Sequence, residues 1–194
     1  MKNRIPRAAA VVACLALPLT AAAANQKGAY AFAGIGMTSV DAEHTQQSRT
    51  VERDANGTSL RAGLGYRWSR HVAVEADGHS MIRKADLGSL GRVGSYGMRA
   101  AVVGIVPMGE RMELFGKLSA GTERMKWSRG IDRDHHSSVT TWDVGIGVGA
   151  RYWLTPGAAV RMDIDGLANS RVSGKWGRDE LSSASISLGF QRQF

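Results

Sequence analysis

Cysteine is almost absent from this sequence, with Cys14 the only one in 194 residues. One thiol cannot close a disulfide within the chain or build a cysteine metal cage, so a disulfide scaffold and a zinc ribbon are both excluded. No segment after the N-terminus reaches the roughly 20 apolar residues that a membrane-spanning helix needs. No stretch repeats its apolar residues with a helical period, and no run of basic residues exists despite a formal charge of +8. Positive charge spread through the chain does not make the basic face that nucleic acid requires.

What is present begins with a secretory signal. Lys2, Arg4 and Arg7 precede an apolar run from Ala8 to Leu19 that ends in small residues, TAAAA. A basic start, a short greasy centre and a small-residue cleavage site define a signal peptide, so residues 1–24 are expected to be removed and 25–194 to form one domain. Val11-Val12-Ala13-Cys14 has some likeness to a lipoprotein cleavage box, but the apolar run continues past it and lipidation is not expected. Removing the three basic residues lowers the charge from +8 to +5. Export argues against nucleic acid and makes phosphate-bearing lipid at a cell surface the better partner.

From Gly28 onward eight segments alternate with period two, the signature of half-buried strands. Leu60, Ala62, Leu64, Tyr66 and Trp68 oppose Arg61, Gly63, Gly65 and Arg67. Val72, Val74 and Ala76 oppose Glu75, Asp77 and His79, and Met98, Ala100 and Val102 oppose Arg99. Met112, Leu114 and Leu118 oppose Glu113, Phe115 and Lys117. Trp142 to Leu154 in steps of two opposes Asp143, Gly145, Gly147, Gly149 and Arg151, while Val160, Met162 and Ile164 oppose Arg161, Asp163 and Asp165. Most segments are about 9 to 11 residues long, the length of a tilted strand crossing a bilayer. The connections alternate: 39–57, 81–92, 125–138 and 168–182 are long and polar, whereas 69–71, 107–111 and 155–157 are short. Long outside and short inside is the layout of an up-and-down membrane barrel, with both termini expected on the short-turn, periplasmic side. Tyr30, Phe32, Tyr66, Trp68, Trp142, Tyr152, Phe190 and Phe194 near strand ends are expected to form interfacial girdles.

A soluble barrel alternates equally well, so the decision rests on which face points inward. The polar face carries most strand glycines (Gly63, Gly65, Gly145, Gly147, Gly149 and Gly189) as well as the charges. In a narrow eight-stranded lumen glycines make room for long side chains, whereas on a wet surface they only weaken strands. The expected interior set is Arg61, Arg67, Arg99, Lys117, Arg151 and Arg161 with Glu75, Asp77, Glu113, Asp143, Asp163 and Asp165, six charges of each sign. Paired, they fill and close a lumen; unpaired, they are costly there.

The last strand, Ser183 to Phe194, sets Ala184, Ile186, Leu188, Phe190, Arg192 and Phe194 on one face. It resembles the C-terminal assembly signal of bacterial outer-membrane proteins, carried by Leu188, Phe190 and Phe194, with Arg192 where that signal usually has Tyr. The chain as a whole resembles the OmpA-type small outer-membrane β-barrels, through Gly65-Tyr66-Arg67, Val74-Glu75, Pro107-Met108-Gly109, Leu114-Phe115-Gly116-Lys117-Leu118, Gly149 to Pro156 and Leu188 to Phe194. The resemblance implies an all-β, eight-stranded antiparallel transmembrane barrel in a Gram-negative outer membrane. It also implies recognition of the C-terminal strand by the barrel-assembly machinery and an interior ion-pair network including Glu75, Lys117 and Arg151. The peptidoglycan-binding domain of larger members is not expected, nor is a tethering role.

No catalysis, cofactor or metal is expected. In Asp132-Arg133-Asp134-His135-His136-Ser137 the adjacent histidines do not converge on one ion without further ligands, and a solvated loop is the simpler reading. His135-His136-Ser137 also resembles the His-x-Ser element of outer-membrane lipid A deacylases, but the acid expected some twelve residues on falls among Gly147 and Gly149. Arg83, Lys84, Arg92, Arg124, Lys126, Arg129 and Arg133 are expected to make the outer rim basic. Such a rim is either ordinary solvated loop or a contact for lipopolysaccharide phosphates or an anionic host or envelope surface.

Overall fold

The computed structural model describes residues 27–46, 49–83, 85–86, 92–128, 137–169, 172–174 and 177–194; the segment read as a signal peptide lies outside them. The chain forms β1 (Gly28–Gln46), β2 (Arg49–Arg67), β3 (Val72–Arg83), β4 (Ala85–Asp86), β5 (Arg92–Met108), β6 (Met112–Ser128), β7 (Ser137–Thr155), β8 (Ala158–Asn169), β9 (Val172–Gly174) and β10 (Gly177–Gln193). Eight of these are long and run in the order β1-β2-β3-β5-β6-β7-β8-β10, and β10 returns to pair with β1. The seam extends from Tyr30↔Gln193 to Thr45↔Arg178. All neighbours are antiparallel, so the result is a closed eight-stranded up-and-down barrel, with β4 and β9 as short additions on β5 and β10. Closure leaves no unpaired edge, which is what a β-structure in hydrocarbon requires.

The alternation decides sidedness. Leu64, Met98, Leu118, Ile146, Val148 and Leu188 are exposed on the outside of the wall, with Leu64 at 66% and Ile146 at 67%. A continuous apolar belt of this kind is a liability in water and the correct surface in lipid. Tyr66 and Trp68 meet edge to face, with ring centroids 6.1 Å apart, near the short-turn end, and Trp142 and Tyr96 lie exposed toward the opposite end. Phe194 is also exposed, and its N–H donates to the Ala29 carbonyl at 2.9 Å, fixing the terminus to the seam. One short turn is closed by Gly109, whose φ of +79° is a conformation that side-chain-bearing residues rarely adopt.

Two expectations are corrected. The strands are longer than 9 to 11 residues, with 19 each in β1, β2 and β7. Much of 39–57, expected as a long connection, is ladder, and pairing continues from Ser39↔Asn56 to Gln46↔Arg49. Likewise β6 runs to Ser128, β7 starts at Ser137 and β10 starts at Gly177, inside stretches read as loops. Pairing satisfies backbone hydrogen bonds whether or not the side chains alternate between apolar and polar. The ladder therefore outlasts its sequence signal. Second, Tyr30 and Phe32, expected in a girdle, point into the lumen and cluster there with Ala73, Val103, Ile105 and Phe115. Gly65 and Gly63 stand opposite them on β2 and leave the space their rings occupy.

Candidate functional site: the charged lumen

Each inward-facing residue on the wall has an inward-facing neighbour on the next strand, and the register sets glycine between large partners. Tyr30, Gly65 and Glu75 are opposite one another on β1, β2 and β3. The Tyr30 ring lies over Gly65, and its hydroxyl donates to Glu75 Oε1 at 2.8 Å. Lys117, Gly147 and Asp165 repeat the arrangement across β6, β7 and β8, with the lysine stem over the glycine and Nζ 2.7 Å from Asp165 Oδ1. A β-carbon at Gly147 would collide with both partners. The missing side chain is thus what lets a long donor reach an acid two strands away.

These rows join into one chain of alternating charge. Arg67 Nη2 lies 2.9 Å from Glu113, and Glu113 lies 3.6 Å from Arg151 Nη1. Arg151 Nη2 and Arg161 Nη1 approach the same oxygen of Glu75, at 3.1 and 2.7 Å. Arg161 Nε donates to Asp163 at 2.7 Å, and Lys117 Nζ contacts Asp163 at 2.6 Å. Asp165 receives Lys117 and then Arg61 Nη1 at 2.8 Å, and Arg61 Nη2 reaches Asp77 at 2.6 Å. Five cations (Arg67, Arg151, Arg161, Lys117, Arg61) and five carboxylates (Glu113, Glu75, Asp163, Asp165, Asp77) alternate and sum to zero.

Arg151 and Arg161 stand directly opposite each other on β7 and β8, a repulsive placement by itself. Glu75 offsets it by accepting from both and from Tyr30. Aromatic faces complete the packing: the Arg161 guanidinium carbon is 4.2 Å from the Phe32 centroid and 4.7 Å from that of Phe115, and Arg151 is 4.5 Å from Phe115. Such contacts suit a desolvated guanidinium, whose planar face is weakly hydrated.

Arg99 and Asp143 stand apart from this chain. Arg99 Nη2 approaches His79 Nδ1 at 3.1 Å, His79 Nε2 is 3.9 Å from Glu123, and neither Asp143 oxygen has a hydrogen-bond partner. Tyr30, Phe32, His79 and Glu123 are interior residues missing from the sequence-derived set. Glu123 keeps the parity of Glu113 and Lys117, so extending that alternation beyond Ala120 would have found it.

The basic rim is only partly described. Arg124 is exposed on β6, opposite Tyr96. Arg83, Arg92 and Lys126 occupy strand positions on β3, β5 and β6, and Lys84, Arg129 and Arg133 lie outside the described residues. Of the segment 132–137, only Ser137, the first residue of β7, is described. Among the described residues no three carboxylate, imidazole or thiol groups are grouped to hold a metal ion.

The sequence model of the outer membrane protein beta-barrel domain matches residues 8–194. The chain belongs to this family. The outer membrane protein beta-barrel domain assigns it to the bacterial outer membrane and gives the apolar outer belt its lipid partner. Solved barrels share the fold at low identity. Neisserial surface protein A is 16% identical, with 86% of this chain and 99% of that chain covered and a TM-score of 0.63. OprG from Pseudomonas aeruginosa is 12% identical, with 91% and 99% covered and a TM-score of 0.59. Ail, the attachment invasion locus protein of Yersinia pestis, is 16% identical, with 87% and 100% covered and a TM-score of 0.52. No curated protein matches the sequence.

Proposed function

We propose that this protein is a closed, non-catalytic outer-membrane barrel whose work is done by its outer hairpins, with a structural or surface-contact role. The observation that carries this reading is the ten-group chain from Arg67 to Asp77, which crosses the lumen and neutralises itself. Ten charges that pair in one chain fill the middle of a narrow barrel without leaving a wide aqueous path. In this reading both termini face the periplasm, and the assembly machinery recognises the β10 strand with Leu188, Phe190 and Phe194. Reconstitution into planar bilayers tests closure: the expected result is no large steady conductance, and steady porin-sized currents would overturn it.

Contact with lipopolysaccharide phosphates or an anionic host surface is the more specific form of the same reading. Its support is exposed Arg124 beside Tyr96, with Lys126 two positions further along the same strand and Arg92 on the neighbouring one. Replacing Arg92, Arg124 and Lys126 with Gln is expected to weaken binding to lipopolysaccharide or host matrix; unchanged binding would reduce the rim to solvated surface. A lipid A mass spectrum unaltered by deleting or overexpressing the gene is expected for a protein without deacylase activity.

A further inference from the structure

Two rows near the mouth opposite the short turns repeat the arrangement of a long side chain over glycine facing an acid, and one of them is left open. In the first, His79, Gly97 and Glu123 are opposite one another on β3, β5 and β6, and a β-carbon at Gly97 would lie 2.7 Å from the His79 ring. In the second, Arg99, Gly121 and Asp143 are opposite one another on β5, β6 and β7, and a β-carbon at Gly121 would lie 2.5 Å from Arg99 Cγ. Arg99 is therefore positioned to reach Asp143, yet its Nη2 is engaged with His79 and its Nε has no partner.

A guanidinium has only donors, so His79 Nδ1 must accept, and the ring's single hydrogen sits on Nε2, facing Glu123. With that ring neutral, the described residues of the corner carry one positive charge, Arg99, and two negative charges, Glu123 and Asp143, a net of −1. Among the described residues no neighbouring charge corrects this, because Arg61 is committed to Asp77 and Asp165. Asp143 is 3% exposed with both oxygens unpartnered, and Glu123 is its diagonal neighbour across β6 and β7. Diagonal cross-strand residues lie about 7 to 8 Å apart, so one ion between them can serve both carboxylates.

We propose that Asp143 and Glu123 form a binding site for a small inorganic cation, Mg²⁺ or Ca²⁺, entering from the outer mouth of the lumen. With no third protein ligand among the described residues, two carboxylates suit an ion that keeps most of its water, as Mg²⁺ commonly does. Binding gives both carboxylates a counter-ion, taking the corner from −1 to +1, and leaves the His79–Arg99 contact in place.

The test is the unfolding midpoint of the refolded chain in detergent micelles, read by heat-modifiable gel migration, in MgCl₂ or CaCl₂ against choline chloride at equal ionic strength. Wild type is expected to unfold at a higher temperature with either divalent salt, the unfolding constant falling about tenfold when the free ion is ten times its Kd. Asp143→Asn is expected to lose the difference between salts. Equal midpoints in all salts for wild type, or a full divalent response in Asp143→Asn, would overturn the proposal. So would a response in wild type to lowered pH but not to cations, which would mean that a proton supplies the charge. Should Asp143→Asn fail to refold, calorimetric titration of wild type and Glu123→Gln with MgCl₂ replaces it: heat of binding in wild type, reduced in the variant, supports the site, and none in wild type refutes it.

Discussion

Glu75 is the most heavily engaged acid in the lumen, and its neutralisation is the sharpest test of the ion-pair chain. The carboxylate accepts from Arg161 Nη1 and Nη2 at 2.7 and 2.8 Å, from Arg151 Nη2 at 3.1 Å and from Tyr30 at 2.8 Å. Glu75→Gln keeps the volume but removes the charge that holds two opposed guanidiniums together. Removing one partner of a buried pair costs about 3 to 5 kcal/mol. Here the expected loss is near the lower end, about 3 kcal/mol, because Arg161 retains Asp163 and the amide oxygen still accepts one bond. Arg151 bears most of the loss, since its remaining acid, Glu113, is 3.6 Å away. Equilibrium urea unfolding in micelles or vesicles, followed by gel mobility, measures the difference. Combining Glu75→Gln with Arg151→Met removes both charges and should recover a large part of the loss, since neutral packing commonly replaces a buried pair at little cost. A Glu75→Gln variant within about 0.5 kcal/mol of wild type would refute the reasoning, because that is the range of an indifferent surface substitution.

Other consequences follow from the same geometry. Gly65→Ala places a methyl group inside the space of the Tyr30 ring and should lower stability by about 1 to 3 kcal/mol in the same unfolding assay, whereas Gly104→Ala, whose nearest neighbour is 4.0 Å away, should change it far less. Leu188→Arg, on the outward face, should cost about 2 to 4 kcal/mol if that position lies near the bilayer midplane. Boiled and unboiled samples of the outer-membrane fraction should migrate differently in detergent gels, and a single band unaffected by heat would argue against a resistant barrel.

Which parts of this molecule can be read from its residues depends on where water and lipid impose a contrast. In β2 and β7, lipid on one side and charge on the other give a clean period of two, and Leu64 against Arg67 or Val148 against Arg151 is legible at once. In β5 both faces carry apolar residues, because Val103 and Ile105 help fill the lumen beside Phe115. Tyr30 and Phe32 misled for a related reason: an aromatic near a strand end reads as a girdle residue unless the glycine opposite it is known, and that requires the register. The outer hairpins show no apolar alternation in sequence, because backbone pairing by itself demands none. Glu123 lies just short of them, where the alternation of Glu113 and Lys117 still holds. The charged positions were readable one by one, but their order in the chain was not, since Arg67 and Glu113 or Glu75 and Arg161 meet only when the barrel closes.

The central claim is that apolar side chains face lipid while arginines and carboxylates neutralise one another inside. Spin labels placed at Leu64→Cys, Val148→Cys and Leu188→Cys in a Cys14→Ser background and reconstituted in bilayers test it most directly. The account predicts relaxation by membrane-dissolved oxygen and little by a water-soluble nickel chelate at all three positions; strong relaxation by the chelate with none by oxygen would turn the barrel inside out and contradict it.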